Sequence, residues 1–244
     1  MYYKKQIGPL DCVLHGPEIG KTAPELIVLL CHGFGAPGTD LVPLADEILA
    51  DSQIDKEKIL FVFPAAPMTL DSFGGFEGRA WWLINMQALA DMAGTNDFTQ
   101  LRQSVPPGII DAREMLNETI AEIFELTSTD YSQLIIGGFS QGAMLTAETV
   151  LTSSENPACL IQMSGTMICE QQWKEKIKSH AGLKVLQSHG KIDPVLPYEA
   201  AEWLKELFEQ NECQVDFLPF MGPHTIPMPV LVKIRELIEG LLAR

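Results

Sequence analysis

The chain has 244 residues, 46% of them hydrophobic, enough to bury the core of one large α/β domain spanning 1–244. Its formal net charge of −15, with no local cluster of lysine and arginine, argues against nucleic acid or anionic lipid as a partner. No apolar run approaches the roughly 18 to 20 residues that a membrane span needs.

Met1-Tyr2-Tyr3-Lys4-Lys5-Gln6 is not followed by the apolar core of a secretory signal. The five cysteines are odd in number and too far apart for a CxxC motif, so they are expected to be reduced, in a cytoplasmic protein.

Along the chain, short apolar runs alternate with longer segments of helical periodicity, which predicts a mostly parallel central sheet with helices on both faces. Residues 7–14 predict one additional strand, antiparallel and at an edge. The first covered strand is Leu26–Cys31, followed by His32-Gly33-Phe34-Gly35 and a helix over 41–50. A strand over 59–63 leads into an excursion over 65–108 that holds Pro67, Phe73-Gly74-Gly75-Phe76, Trp81-Trp82, Asn96 and Pro106-Pro107 but no clear strand. An excursion of this length suits a functional element. A helix over 109–126 and a strand over 133–137 then deliver Gly138-Phe139-Ser140-Gln141-Gly142, with a helix over 143–151 beyond it. Strands at Cys159–Met163, 183–187 and 215–219, with helices over 199–210 and 229–242, complete the alternation.

The pentapeptide fits G-x-S-x-G in a strand-turn-helix context, the nucleophile turn of an α/β-hydrolase fold. Its glycines remove Cβ atoms that would collide in a turn sharp enough to project a serine oxygen. A phosphate-binding turn would require G-x-G-x-x-G or G-x-x-x-x-G-K, and neither accompanies it.

A serine hydroxyl needs a general base, and in this fold the partners follow in the order Ser, acid, His. Of the five histidines only His224 lies beyond the candidate acid, just after the strand over 215–219. Asp193 is the acid by position, immediately after the strand over 183–187, whereas Asp216 lies within a strand and Glu155, Glu170 and Glu175 flank helices. The N–H groups of Gln141 and Phe34 are the expected oxyanion donors. His32 is expected to hold its loop by hydrogen bonds, since no second histidine or cysteine lies at metal-ligand spacing and no metal site is expected.

With these residues in place, the sequence resembles the phospholipase/carboxylesterase family, the group that includes acyl-protein thioesterases. The resemblance rests on six ordered blocks: Leu30-Cys31-His32-Gly33-Phe34-Gly35, Phe63-Pro64-Ala65-Ala66-Pro67, Trp81-Trp82, Gly137 to Met144, His189 to Val195, and Gly222-Pro223-His224-Thr225-Ile226-Pro227. It implies cofactor-free hydrolysis of short to medium acyl esters, or of thioesters or lysophospholipids, through an acyl-enzyme on Ser140. Leu83 stands where relatives often carry an acid, and 85–107 is longer than in compact members, so 65–108 is read as a lid or acyl-pocket wall with Trp81 and Trp82 against the substrate. Two alternatives for that segment are core packing and a homodimer contact. For the whole chain, the alternatives are an acyltransferase and a non-catalytic ligand- or protein-binding module.

Overall fold

The computed structural model describes residues 2–50, 52–70, 77–95 and 97–243. The sheet has eight strands, β1 (Tyr2–Ile7), β2 (Leu10–His15), β3 (Leu26–Cys31), β4 (Ile59–Pro64), β7 (Leu134–Phe139), β8 (Cys159–Met163), β9 (Lys184–Gly190) and β10 (Gln214–Phe220), in the order β1-β2-β4-β3-β7-β8-β9-β10. From β4 to β10 every neighbouring pair is parallel, whereas β1 and β2 pair antiparallel and β2 runs antiparallel to β4.

The apolar strands are covered on both sides, as continuous hydrophobic runs require. In β3, Ile27, Leu29 and Cys31 join a core that also takes Ile109, Leu116 and Ile123, Trp173, and Leu204 from helices α4 (Ile109–Thr127), α6 (Glu170–Lys176) and α7 (Tyr198–Glu209). Leu26, Val28 and Leu30 face the other way, onto Ala45 and Ile48 of α1 (Leu44–Leu49) and Val230 and Ile234 of α8 (Met228–Leu242). Helix α1 begins later than its periodicity predicts because Pro43 stands at its N-cap, where a missing N–H costs nothing. Among the described residues no helix is long and apolar enough to cross a membrane.

Three expectations are corrected. The predicted single strand over 7–14 is a hairpin: Ile7 pairs with Leu10, and Gly8-Pro9 makes its two-residue turn. Gly8 has φ 54, which places a glycine at the first central position of a II′-type turn, and proline suits the second. The excursion over 65–108 carries a short antiparallel ladder, β5 (Met68–Thr69) with β6 (Arg79–Ala80), then α2 (Met86–Thr95) and α3 (Thr99–Gln103). A two-residue strand is too short to show alternation, so periodicity had nothing to register. Its Phe73-Gly74-Gly75-Phe76 and Asn96 lie outside the described residues. Finally, Glu170 and Glu175, expected to flank helices, lie inside α6.

Candidate active site

Ser140 stands between β7 and α5 (Gln141–Thr152), with φ 54 and ψ −117, a conformation that a residue with a Cβ adopts only under constraint. The constraint is visible on both sides. The Ser140 N–H donates to Met163 O at 2.9 Å, and Ser140 O accepts from Met144 N–H at 3.1 Å, closing the first turn of α5. Although it is the N-cap residue, its side chain makes no capping bond, which leaves the hydroxyl free for other work.

The two glycines of the turn have distinct steric jobs. A Cβ on Gly138 would stand 2.5 Å from the Gly142 carbonyl carbon, and one on Gly142 would stand 2.1 Å from Cys31 O. Gly142→Ala is therefore expected to destabilise the fold by about 1–3 kcal/mol or more, since backbone cannot swing aside as a flexible side chain would. A urea midpoint equal to wild type would contradict this reading.

The loops after β9 and β10 meet next to this turn. Lys191 N–H donates to Phe220 O at 2.8 Å, and Ile192 N–H to Gly222 O at 3.3 Å, tying the two loops together. A Cβ on Gly190 would lie 2.3 Å from Gly222 O and 2.5 Å from Pro223 O, so only glycine lets them approach. Their meeting joins Asp193 to His224: Nδ1 lies 2.6 Å from Oδ2. Oδ1 of Asp193 accepts the N–H groups of Val195 at 2.8 Å and Leu196 at 3.0 Å. Burial raises the pKa of this carboxyl, but its bonds from His224, Leu196 and Val195 outweigh burial and hold it below the ordinary aspartate value.

Two histidines approach Asp193, and burial separates their roles. The His189 side chain is fully buried, with Nε2 3.4 Å from Oδ2. That of His224 is 15% exposed, and its ring centroid lies 4.7 Å from that of Phe139, the residue before Ser140. His224 therefore lies beside the turn that carries the serine. No hydrogen bond among the described residues joins Ser140 Oγ to His224, a link that often tightens only when substrate is bound.

On the far side of Ser140 lies the loop after β3. A Cβ on Gly33 would be 3.4 Å from Ser140 Cβ, so Phe34 follows directly on the contact. His32, 1% exposed, donates from Nδ1 to Gly33 O at 2.8 Å and accepts from Ala66 N–H at Nε2 at 3.0 Å. This is the loop-holding role expected of it. Gln141 is fully buried, and beyond its expected N–H its side chain accepts from Trp81 N–H at 3.0 Å and donates to Trp82 O at 2.8 Å. The motif alone could not reveal that second task. Trp81 and Trp82 are 2% and 3% exposed, and the Trp81 indole donates to His32 O at 2.9 Å. They sit in the core behind the site, tying the His32 loop to α5, while the neighbouring Leu83 is 60% exposed.

His15, His32, His180 and His189 are buried, and burial is the largest cause holding each ring below the ordinary histidine pKa. Unfolding returns them to about 6.5. Because the folded values are the lower ones, the unfolded chain binds more protons below that pH. Stability is therefore full above about pH 6.5 and falls as the pH drops through the folded values. The urea midpoint is expected to decline from about pH 6.5 downward with uptake of more than one proton on unfolding. A midpoint flat to about pH 5 would refute it.

Comparison with known proteins agrees with the architecture. The family model for Phospholipase/Carboxylesterase matches residues 18–242. The chain is similar to acyl-protein thioesterase 1 of Eremothecium gossypii, 30% identical over 74% of this chain and 71% of that protein. It is also similar to acyl-protein thioesterase 1 of Candida albicans, 26% identical over 80% of this chain and 81% of that protein. In structure it resembles esterase PE8, with a TM-score of 0.72 and 25% identity over 93% of this chain and 99% of that one.

Proposed function

This chain belongs to the phospholipase/carboxylesterase family of the α/β-hydrolase superfamily and is a carboxylic ester hydrolase, and on that footing we propose that it works through an acyl-enzyme on Ser140, with His224 as base and Asp193 as acid. The observation that carries the reading is the 2.6 Å Asp193–His224 pair beside a serine held at φ 54. His224 Nε2 takes the Ser140 proton as Oγ attacks the substrate carbonyl. The oxyanion that forms is held by the N–H groups of Phe34 and Gln141, neither of which donates to another group among the described residues. His224 then gives its proton to the departing alcohol or thiol. A water, deprotonated by His224, attacks the acyl carbon, and the acid leaves as Ser140 recovers its proton. Asp193 stays charged throughout, holding the Nδ1–H tautomer.

The substrates we propose are small-molecule esters or thioesters with short to medium acyl chains, in a cytoplasmic setting that suits five buried free thiols. Trp81 serves the substrate from behind, by fixing through its indole the loop that carries Phe34, while Trp82 is tied to Gln141. Leu83 is the apolar group that an acyl chain meets, being exposed and one residue from Trp82, whose carbonyl Gln141 holds.

A p-nitrophenyl ester series of graded chain length tests this proposal. Wild type is expected to favour short to medium chains. Leu83→Asp is expected to lower kcat/KM for the longer chains by about fourfold to fifteenfold, the loss of one or two buried methylenes of contact, and to spare acetate. An equal loss on every ester would remove Leu83 from the acyl site.

A further inference from the structure

Asp193 is held by more than His224. We infer that His189 is a positioning residue for the proposed triad, fixing the Asp193 carboxylate through Leu196. The inference rests on the assignment of Asp193 as the acid. His189 Nε2 lies 2.9 Å from Leu196 O and 3.4 Å from Asp193 Oδ2. Both neighbours are acceptors, so Nε2 carries the hydrogen and donates to Leu196 O. The N–H of that same Leu196 donates to Asp193 Oδ1 at 3.0 Å. One residue thus links the two side chains: His189 grips its carbonyl, and its amide grips the carboxylate.

Charge makes the arrangement useful. Nδ1 of His189 is buried without a hydrogen-bond partner among the described residues, and burial favours the neutral ring. A neutral donor restrains the loop without cancelling the charge that Asp193 offers to His224, whereas a second imidazolium would compete for it. Besides Asp193 and His224, few titratable groups lie near the ring among the described residues. Tyr198 has its ring centroid 6.4 Å away, and Lys191 Nζ stands 6.0 Å over the Tyr198 ring.

Short-range order of this kind controls rate more than binding, because the acid acts on His224 only as charge develops there. His189→Leu keeps an apolar filling but cannot hold Leu196. It is expected to lower kcat on p-nitrophenyl acetate by about tenfold to a hundredfold with KM within about twofold. A looser Asp193 stabilises the imidazolium less, so the acid limb of the pH–rate profile should move to lower pH by about half a unit. His189→Gln, whose amide N–H can reach toward Leu196 O, should recover most of the rate and return the limb toward wild type. Should His189→Leu not fold, His189→Asn, too short to span the gap, takes its place.

A wild-type kcat in His189→Leu would overturn the inference. So would equal damage in the Leu and Gln variants with an unmoved acid limb, the signature of simple packing. Labelling of Ser140 by a fluorophosphonate, measured on the same proteins, separates this failure from that of the triad itself. A wild type that does not label condemns the triad, whereas a wild type that labels beside an unaffected His189→Leu condemns only the clamp.

Discussion

Ser140→Ala is expected to cut ester hydrolysis by about 10⁴-fold or more, and by as much as about 10⁶-fold if the proposed triad acts as a unit. The protein should remain folded, because Ser140 Oγ makes no capping bond and the residue is held through its backbone, by Met163 O and Met144 N–H. Alanine inherits the strain, since its Cβ also sits at φ 54. Ser140→Gly, by contrast, loses the nucleophile and relieves that strain, so it should unfold at a higher urea concentration, by about 1 kcal/mol. Kinetics and urea melts on the three proteins check both halves of the expectation. Retained turnover in Ser140→Ala would end the assignment, and equal stability in alanine and glycine would show that the turn is not strained.

The second large effect is expected from Asp193→Asn, with a loss in kcat of about 10³- to 10⁴-fold. Geometry dictates the direction. Asp193 Oδ1 accepts two backbone N–H groups, so an asparagine would turn its carbonyl oxygen to them and its amide nitrogen toward His224. His224 Nδ1 would then have to accept, which moves its proton to Nε2 and removes the lone pair that Ser140 needs. Stability should change with pH in a defined way. The folded pKa of Asp193 is the lower one, so its contribution is complete above about pH 4, the unfolded value, and disappears as the pH falls through the folded value. Asp193→Asn should therefore be less sensitive to acid in that window. A variant retaining more than about a tenth of wild-type kcat would reject Asp193 as the partner of the base.

The most legible features were those whose chemistry is local. Strand β8 matches its predicted span because Cys159–Met163, apolar but for the buried Gln162, is covered on both faces. Helix α4 follows its heptad-like spacing until Ser128, whose φ of 57 ends it. The elements that escaped were set by other forces. Gly8 and Pro9 interrupt the strand predicted over 7–14 because they are the residues that a tight hairpin turn demands. Trp81 and Trp82 carry no mark in sequence of whether they face substrate or core. Their burial is decided by Gln141 and His32, which take up their backbone and indole groups from distant parts of the chain.

By itself the sequence determined the turn around Ser140, because Gly138 and Gly142 are required wherever a helix starts so hard against a strand. It also determined the order in which acid and base could follow. Tertiary structure decided how the two histidines beside Asp193 are placed. Asp193 has two histidine neighbours, and distance alone would allow both. The crossing of the β9 and β10 loops at Gly190 buries His189 completely and leaves His224 beside Phe139, so packing and solvent access, which no linear spacing records, set apart the same ring that chain order singles out.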